Sequence, residues 1–389
     1  MKRAVYLDYN ATAPIRPEAL EAAALALQIG GNPSSVHARG RRARAAVETA
    51  RAQVGALVGA GPEQVVFTSG GTEANRLAIE AALASGSRRL VVLATEHDST
   101  LRPALASGAG VEVWPVRPDG VADLDWLHGR LARWDRTDGA PFVAVSLANG
   151  ETGVLQPIAE IAAKVREAGG VLHVDAVQAA GRLALDMAAL GAHTLSLSGH
   201  KLGAPQGVGA LIVTPGGPVR ARRAVVGAYA LSPGQEQGLR AGTENVAGIA
   251  GFGAAAEAAL RDLPCAHRQA PWRDAAEARL RAAGARIAGE GAPRLPGVLC
   301  AVRHGWPSER QVMALDLEGV MVSAGSACSS GKVGASHVLA AMGLGPDAGY
   351  AVRASGGWAT IGDDWIAFAD VWLAAHARQA ARRKVKEFA

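Results

Sequence analysis

Cysteine is scarce: three in 389 residues, at positions 265, 300 and 328, with no Cys-x-x-Cys pair. An odd, scattered set excludes a disulfide framework and a zinc site built on paired thiols, so no metal is expected and each cysteine is read as a thiol in its own right. Long apolar runs are missing as well. The longest uncharged stretch, 202–219, is broken by Pro205, Pro215, Pro218 and several glycines, which rules out an ordinary membrane helix. Asp8 arrives too early for the apolar core of a secretion signal, and a cytoplasmic location is expected. No compact basic block interleaved with aromatics occurs. The formal charge of +5 therefore reads as arginines spread along helices plus a basic tail (Arg382, Arg383, Lys384, Lys386) on a solvated helix face, with neither nucleic acid nor membrane as partner.

What is present is a globular composition, 49% hydrophobic and 19% charged, over a length that suits two unequal lobes. Short β-branched runs at 65–68, 90–94, 111–116, 142–147, 171–174, 194–197 and 208–213 alternate with Ala-rich helical stretches such as 74–84 and 158–168. This pattern predicts an α/β fold with a mainly parallel, seven-stranded sheet, in which ligands gather at the carboxyl ends of the strands. Beyond about residue 260 the texture changes to Arg/Ala helices and then to a Gly/Ser-rich stretch at 323–331, as expected of a smaller α+β C-terminal domain. The Pro and Gly punctuation at 264–271 marks the expected boundary.

Three features carry chemistry. The segment Thr68-Ser-Gly-Gly-Thr-Glu-Ala-Asn75 turns a strand into a helix with free backbone N–H groups at a positive dipole end, a phosphate cradle, although a Thr-capped helix after a Gly turn explains it in isolation. Asp175 ends the run Val171-Leu-His-Val174, where a carboxylate can hold a protonated ring nitrogen; helix capping accounts for it nearly as well. The run Ser196-Leu-Ser-Gly-His-Lys201 delivers a lysine into a polar turn, with Ser198 and His200 beside it for a phosphate. Phosphate turn, ring carboxylate and turn lysine in this order are what pyridoxal 5'-phosphate, held as a Schiff base on Lys201, requires.

The chain resembles the cysteine desulfurases of the class V aminotransferase group, in the nitrogen-fixation and housekeeping iron–sulfur branch. The resemblance rests on Tyr6–Pro14, Gly31–Ser35, Phe67–Asn75, Glu96-His97, Glu151–Gly153, His173–Gln178, Ser196–Lys201, Gly238–Asn245 and Gly325–Ser330, in order along nearly the whole chain. It implies the aspartate aminotransferase-like fold of pyridoxal phosphate-dependent transferases, with a large cofactor-binding domain over 15–262 and a small domain from 1–14 and 263–389 that carries a mobile Cys328 loop. By resemblance, His97 stacks on the ring and assists proton transfer. Gly71, Thr72, Ser198 and His200 bind phosphate, Thr243 reaches the phosphate of a partner in a homodimer, Gln178 contacts the ring hydroxyl, and Arg353 clamps the substrate carboxylate. Cys328 matches the family's nucleophile, taking sulfur from L-cysteine, releasing alanine, and passing a persulfide to a protein acceptor such as an iron–sulfur scaffold. Cys300, after Val298-Leu299, reads as a buried structural thiol, and Cys265 falls in a polar turn with no role assigned.

The chain departs from the family's pattern in four places. Gly150 stands where a second asparagine is usual, 202–206 lacks the usual aromatic-Gly-Pro-Lys stretch, Ala324 replaces a serine, and Ser355–Trp358 replaces Ser-Leu-Gly-Arg. These leave room for a divergent class V transaminase or lyase, including a selenocysteine lyase, that does not use Cys328, and for a non-catalytic partner protein.

Overall fold

Seven of the strands are buried along their whole length, so they must be covered on both faces. The structure, a computed structural model, describes residues 3–215, 235–325 and 334–387. Its strands in chain order are β1 (Val5–Tyr6), β2 (Val65–Thr68), β3 (Arg89–Leu93), β4 (Gly110–Trp114), β5 (Phe142–Ser146), β6 (Val171–Asp175), β7 (Thr194–Ser198), β8 (Gly209–Val213), β9 (Arg286–Ile287), β10 (Val298–Val302), β11 (Val320–Met321) and β12 (Ala351–Ser355). Seven of them form one sheet in the order β2-β8-β7-β6-β5-β3-β4. β8 runs antiparallel to both of its neighbours, β7 and β2, and the other pairs are parallel.

The observed elements follow the expected ones with shifts that have local causes. The strand expected over 111–116 stops at Trp114, because Pro115 has no N–H to give to the ladder. The helix expected from Ala74 starts at Gly71 and runs to Ala84, since the turn at Gly70 admits three more residues. The punctuation at 264–271 is not an open linker. Pro264 and Cys265 lie in the last turn of the helix Val246–Ala266, and Pro271 lies in the first turn of the helix Gln269–Ala282, where a missing N–H costs nothing. Cys265, read as part of a polar turn, is thus an exposed helical residue.

The main core is built from the inner strands and the helices Ala38–Leu57, Ile158–Glu167 and Val246–Ala266, and Leu295 and Val298 join it from the C-terminal third. A second core gathers Val5 and Leu7 with Leu280, Leu299, Trp306, Val352, Trp365, Phe368 and Trp372. Around it lie the antiparallel sheet β12-β10-β9 and the parallel pair β1-β11. The first ten residues therefore pack with the last hundred. Glu236 and Gln237 take left-handed backbone conformations, φ 42° and 60°, which cost side-chain-bearing residues about 1–2 kcal/mol each. Arg51 holds them in place: its fork donates to both Glu236 oxygens at 2.8 and 2.7 Å, and Phe67 N–H donates to Oε2 at 2.7 Å.

Candidate active site

The carboxyl edge of the large sheet collects the polar residues. After β2, Gly71 opens a fourteen-residue helix whose first N–H groups lie beside the end of β7. A side chain at Gly71 would meet Val177 Cγ2 at 2.7 Å and Ser198 Cβ at 3.5 Å, so glycine is what lets this backbone approach Ser198. Ser198 is buried and Thr72 is exposed. His200 faces the Thr12 hydroxyl through Nδ1 at 3.1 Å, and burial, helped by the charge of Lys201, pushes it down to about 4. It is a neutral imidazole at neutral pH. Phosphate N–H donors, a hydroxyl and a neutral imidazole thus lie within one turn.

Asp175, the last residue of β6, is held by a chain of hydrogen bonds. Its Oδ1 accepts from Val177 N–H at 2.9 Å and its Oδ2 from Asn75 Nδ2 at 2.8 Å. Asn75 Nδ2 also donates to Ser99 Oγ at 3.0 Å, and its Oδ1 lies 3.0 Å from His173 Nε2. Burial pushes His173 down to about 4, and its Nδ1 lies 2.8 Å from the Thr194 hydroxyl. A neutral His173 with its proton on Nε2 satisfies both contacts and fixes which way the Asn75 amide points. His97 caps the helix Asp98–Ala106, its Nδ1 accepting from Ser99 N–H at 3.1 Å and lying 2.8 Å from Ser99 Oγ. Ser99 thereby links His97 to Asn75 and on to Asp175. Beneath them, Glu96 is fully buried. Its Oε1 accepts from Ser146 N–H at 2.5 Å, and desolvation followed by the charge of Asp175 pushes it up to about 8.

Lys201 follows β7 in the short helix Gly199–Lys201, and its Nζ donates to the carbonyls of Asn10 at 2.5 Å and Ala11 at 2.7 Å. Asn10 is the hub of this side of the site. Its N–H donates to Ser355 Oγ at 3.0 Å, its Nδ2 to the Gly150 carbonyl at 2.8 Å, its carbonyl accepts from Gln178 Nε2 at 3.0 Å, and its Oδ1 accepts from Arg182 Nη1. Arg353, buried on β12, donates through Nη2 to Asp8 Oδ1 at 2.7 Å and through Nη1 to the Gly150 carbonyl at 3.2 Å. A cavity of about 370 Å³, bordered among others by Tyr9, Arg182, Lys201, Trp272 and Trp358, opens beside the lysine.

The structure therefore brings together Gly71, Ser198, His200, Asp175, His97, Gln178, Lys201 and Arg353. Thr243 lies apart, exposed, in the stretch between Gly238 and the helix Val246–Ala266. Cys328 lies outside the described residues. The residues flanking its segment reach the site: Ser336 donates to Glu151 Oε2 at 2.6 Å, Gly325 has no room for a side chain against the same oxygen, and His337 Nε2 donates to the Glu96 carbonyl at 2.9 Å. Cys300 is fully buried and pushed up to about 12, an inert thiol as expected. Asn10, Asn75, Glu96 and Arg182 were not singled out by the sequence. Asn10, Asn75 and Glu96 fall inside three of the motifs, which was the only signal available.

Two departures from the family's pattern meet at one place. Gly203, φ 88°, has no room for a side chain against the Pro14 carbonyl, while Trp358 donates to that carbonyl at 3.3 Å and covers the Arg16 guanidinium at 4.9 Å. Asn149, beside Gly150, is spent on its own turn. It accepts from the N–H groups of Glu151 and Thr152 and donates to the Thr95 carbonyl, so it does not stand in for the missing asparagine.

The sequence profile described as aminotransferase class-V matches residues 5–361. The chain belongs to that family, whose members are pyridoxal phosphate-dependent enzymes. It is 40% identical to the cysteine desulfurase of Trichormus azollae over 349 residues, 87% of this chain and 84% of that one. It is 37% identical over 354 residues to cysteine desulfurase IscS of Dictyoglomus turgidum, covering 88% and 86% of the two chains. The solved structure of a NifS-like protein from Rickettsia africae superposes with a TM-score of 0.83 at 30% identity, over 96% of this chain and all of that one. No helix among the described residues is long and apolar enough to cross a membrane.

The residues present fit that cofactor. Gln178 Oε1, three residues beyond β6, and Ser196 Oγ, in the middle of β7, are buried with no hydrogen-bond partner among the described residues. A cradle of N–H groups, a carboxylate, an amine and unspent polar atoms between them make up the donor set of a phosphorylated pyridine aldehyde.

Proposed function

We propose that the chain is a pyridoxal phosphate-dependent cysteine desulfurase that converts L-cysteine to L-alanine and holds the released sulfur as a persulfide on Cys328. The observation that carries this reading is the convergence of Gly71, Ser198, Asp175 and Lys201 on one sheet edge. The two flanks of the Cys328 segment, Gly325 and Ser336, close on Glu151 at the same edge. In this proposal 15–262 is the cofactor-binding lobe, and 1–14 with 263–389 forms the smaller one.

Gly71, Thr72, Ser198 and His200 would hold the phosphate, Asp175 the ring nitrogen, Gln178 the ring hydroxyl, and Lys201 the aldehyde carbon. When bound, the cofactor acidifies the substrate's α-carbon and accepts its electrons. Lys201 and His97 move the protons, and Arg353 grips the carboxylate. An ordinary thiol is only a few per cent ionised at neutral pH, so Cys328 must give up its proton before it reacts. Its sulfur then bonds to the substrate's sulfur as the C–S bond breaks, and the carbon fragment leaves, after protonation, as alanine. Thr243, on an exposed stretch, would complete the partner's phosphate site in a homodimer, and a protein acceptor such as an iron–sulfur scaffold would collect the persulfide.

The test is to incubate the holoenzyme with L-cysteine and a thiol reductant and assay alanine and sulfide. Cys328→Ala is expected to lose both products by at least about a hundredfold while keeping the cofactor. Equal rates in variant and wild type would rule out the persulfide route and favour a lyase that ignores Cys328.

A further inference from the structure

Arg182 is a guanidinium whose charge nothing in the known scheme uses. It is half-buried, and its Nη2 is shut off from solvent with no hydrogen-bond partner among the described residues. Nη1 reaches only the neutral Oδ1 of Asn10. Burial, then the nearby positive charge of Arg353, pushes it down to about 10, so it is still charged at neutral pH. Arg353 has a spare donor too: its Nε is buried and without a hydrogen-bond partner among the described residues.

The two guanidiniums are joined through three hydrogen bonds. Arg182 binds Asn10 Oδ1, Asn10 Nδ2 binds the Gly150 carbonyl, and Arg353 Nη1 binds the same carbonyl. The lysine Nζ lies on the carbonyl of Asn10 itself. Arg182 and Arg353 bring two positive charges, and the groups that act on Arg182 are Arg353 and Tyr9, with no carboxylate among them. Asp8 answers Arg353, at 2.7 Å. Glu151, whose carboxyl burial pushes up, faces Arg353 and not Arg182, and its Oε2 already takes the Ser336 hydroxyl. Tyr9, the other group that Arg182 senses, is a phenol raised by burial and is neutral. The internal stretches 216–234 and 326–333 contain no Asp or Glu to add. A buried positive charge without a counter-ion is costly, and a site that keeps one is made to receive an anion.

The anion is not the cofactor phosphate, whose proposed cradle is at Gly71, Ser198 and His200. We infer that Arg182 is a second substrate-binding residue, which together with Arg353 brackets the α-carboxylate of the amino acid whose amine reacts at Lys201. The inference rests on the proposed amino-acid chemistry but not on the sulfur step. Gly150 contributes by omission: a side chain there would come within 3.3 Å of Gln178 Nε2, on the carbonyl that Arg353 and Asn10 share. Two forks on one carboxylate leave no acceptor lone pair idle, and each charged hydrogen bond lost from such a clamp weakens binding roughly 10- to 100-fold.

The test compares L-alanine, the product, with L-alaninamide, which has the same shape and amine but no carboxylate. Both are titrated into holo wild type, Arg182→Gln and Arg182→Lys, and binding is read from the cofactor's absorbance. Arg182→Gln is expected to weaken L-alanine about 10- to 100-fold, to leave L-alaninamide within about twofold, and to raise KM for L-cysteine more than it lowers kcat. Arg182→Lys keeps the charge but not the fork and should fall between; it also stands in for the glutamine variant if that one does not fold. Unchanged L-alanine binding, or equal weakening of acid and amide, overturns the inference and assigns Arg182 a structural part. A wild type that binds L-alanine but makes neither alanine nor sulfide from L-cysteine would sink the desulfurase reading alone.

Discussion

Two buried carboxyls, Asp175 and Glu96, lie under the site in different surroundings. Asp175 is tied down by Asn75 and Val177, so its ionised form is solvated by the protein. Glu96 has a single partner for one oxygen and, among the described residues, none for the other, and desolvation followed by the charge of Asp175 keeps its proton on. Its folded value, about 8, lies above the ordinary 4.5 of a glutamate, so the folded state binds a proton that the unfolded chain releases. The stability this brings is complete below about pH 4.5 and fades as pH rises through 8. Glu96→Gln, which cannot ionise, should therefore gain on wild type by roughly 1–3 kcal/mol between pH 5 and pH 8.5 in denaturant unfolding. A constant difference across that range would mean that Glu96 is ionised in the folded protein.

Residues differed in how legible they were for a physical reason. Lys201, Asp175 and Gly71 announce themselves because a few neighbours in sequence create their surroundings: a strand end, a turn, a polar run. Asn10, Asn75 and Arg182 take their meaning from partners 98 to 345 positions away, so nothing beside them in sequence gives them away. Arg182 reads as a solvated arginine until the fold closes it in.

Elements were legible where periodicity was strong, and the seven strands of the large sheet were all anticipated within a residue or two. What the sequence did not display is how closely they approach. Gly209, the first residue of β8, packs on the turn of the phosphate cradle, where a side chain would meet Gly70 Cα and the Leu197 carbonyl, both at 2.6 Å. These are backbone atoms of two neighbouring elements and cannot swing aside. Gly209→Ala should destabilise the apoprotein by about 1–3 kcal/mol and, by shifting the cradle, weaken cofactor binding beyond that loss. Thermal unfolding of the apoprotein together with a cofactor titration separates the two effects; an unchanged cofactor affinity would detach β8 from the phosphate site.

The whole molecule is stitched by contacts that no segment suggests. Arg51 and Glu236 are both nearly buried and lock the left-handed turn at 236–237 onto β2, beyond which the chain runs to Thr243. Arg51→Ala strands a buried carboxylate and should cost about 3–5 kcal/mol in denaturant unfolding, while Glu236→Gln, which keeps the shape, should cost less. If the two variants were equally stable, the charge would not be what holds the turn.

The N-terminal segment has a consequence in time. Asn10 joins the lysine to Ser355, 345 positions further along, and β1 pairs with β11. A ribosome adding 5–20 residues each second needs about 17–70 seconds to cover that span. Until 320–355 are made, β1 has no strand partner and Asn10 lacks Ser355, although its partners Gly150, Gln178, Arg182 and Lys201 are already present. The large sheet can therefore be complete while the segment that holds the lysine amine is anchored on one side only.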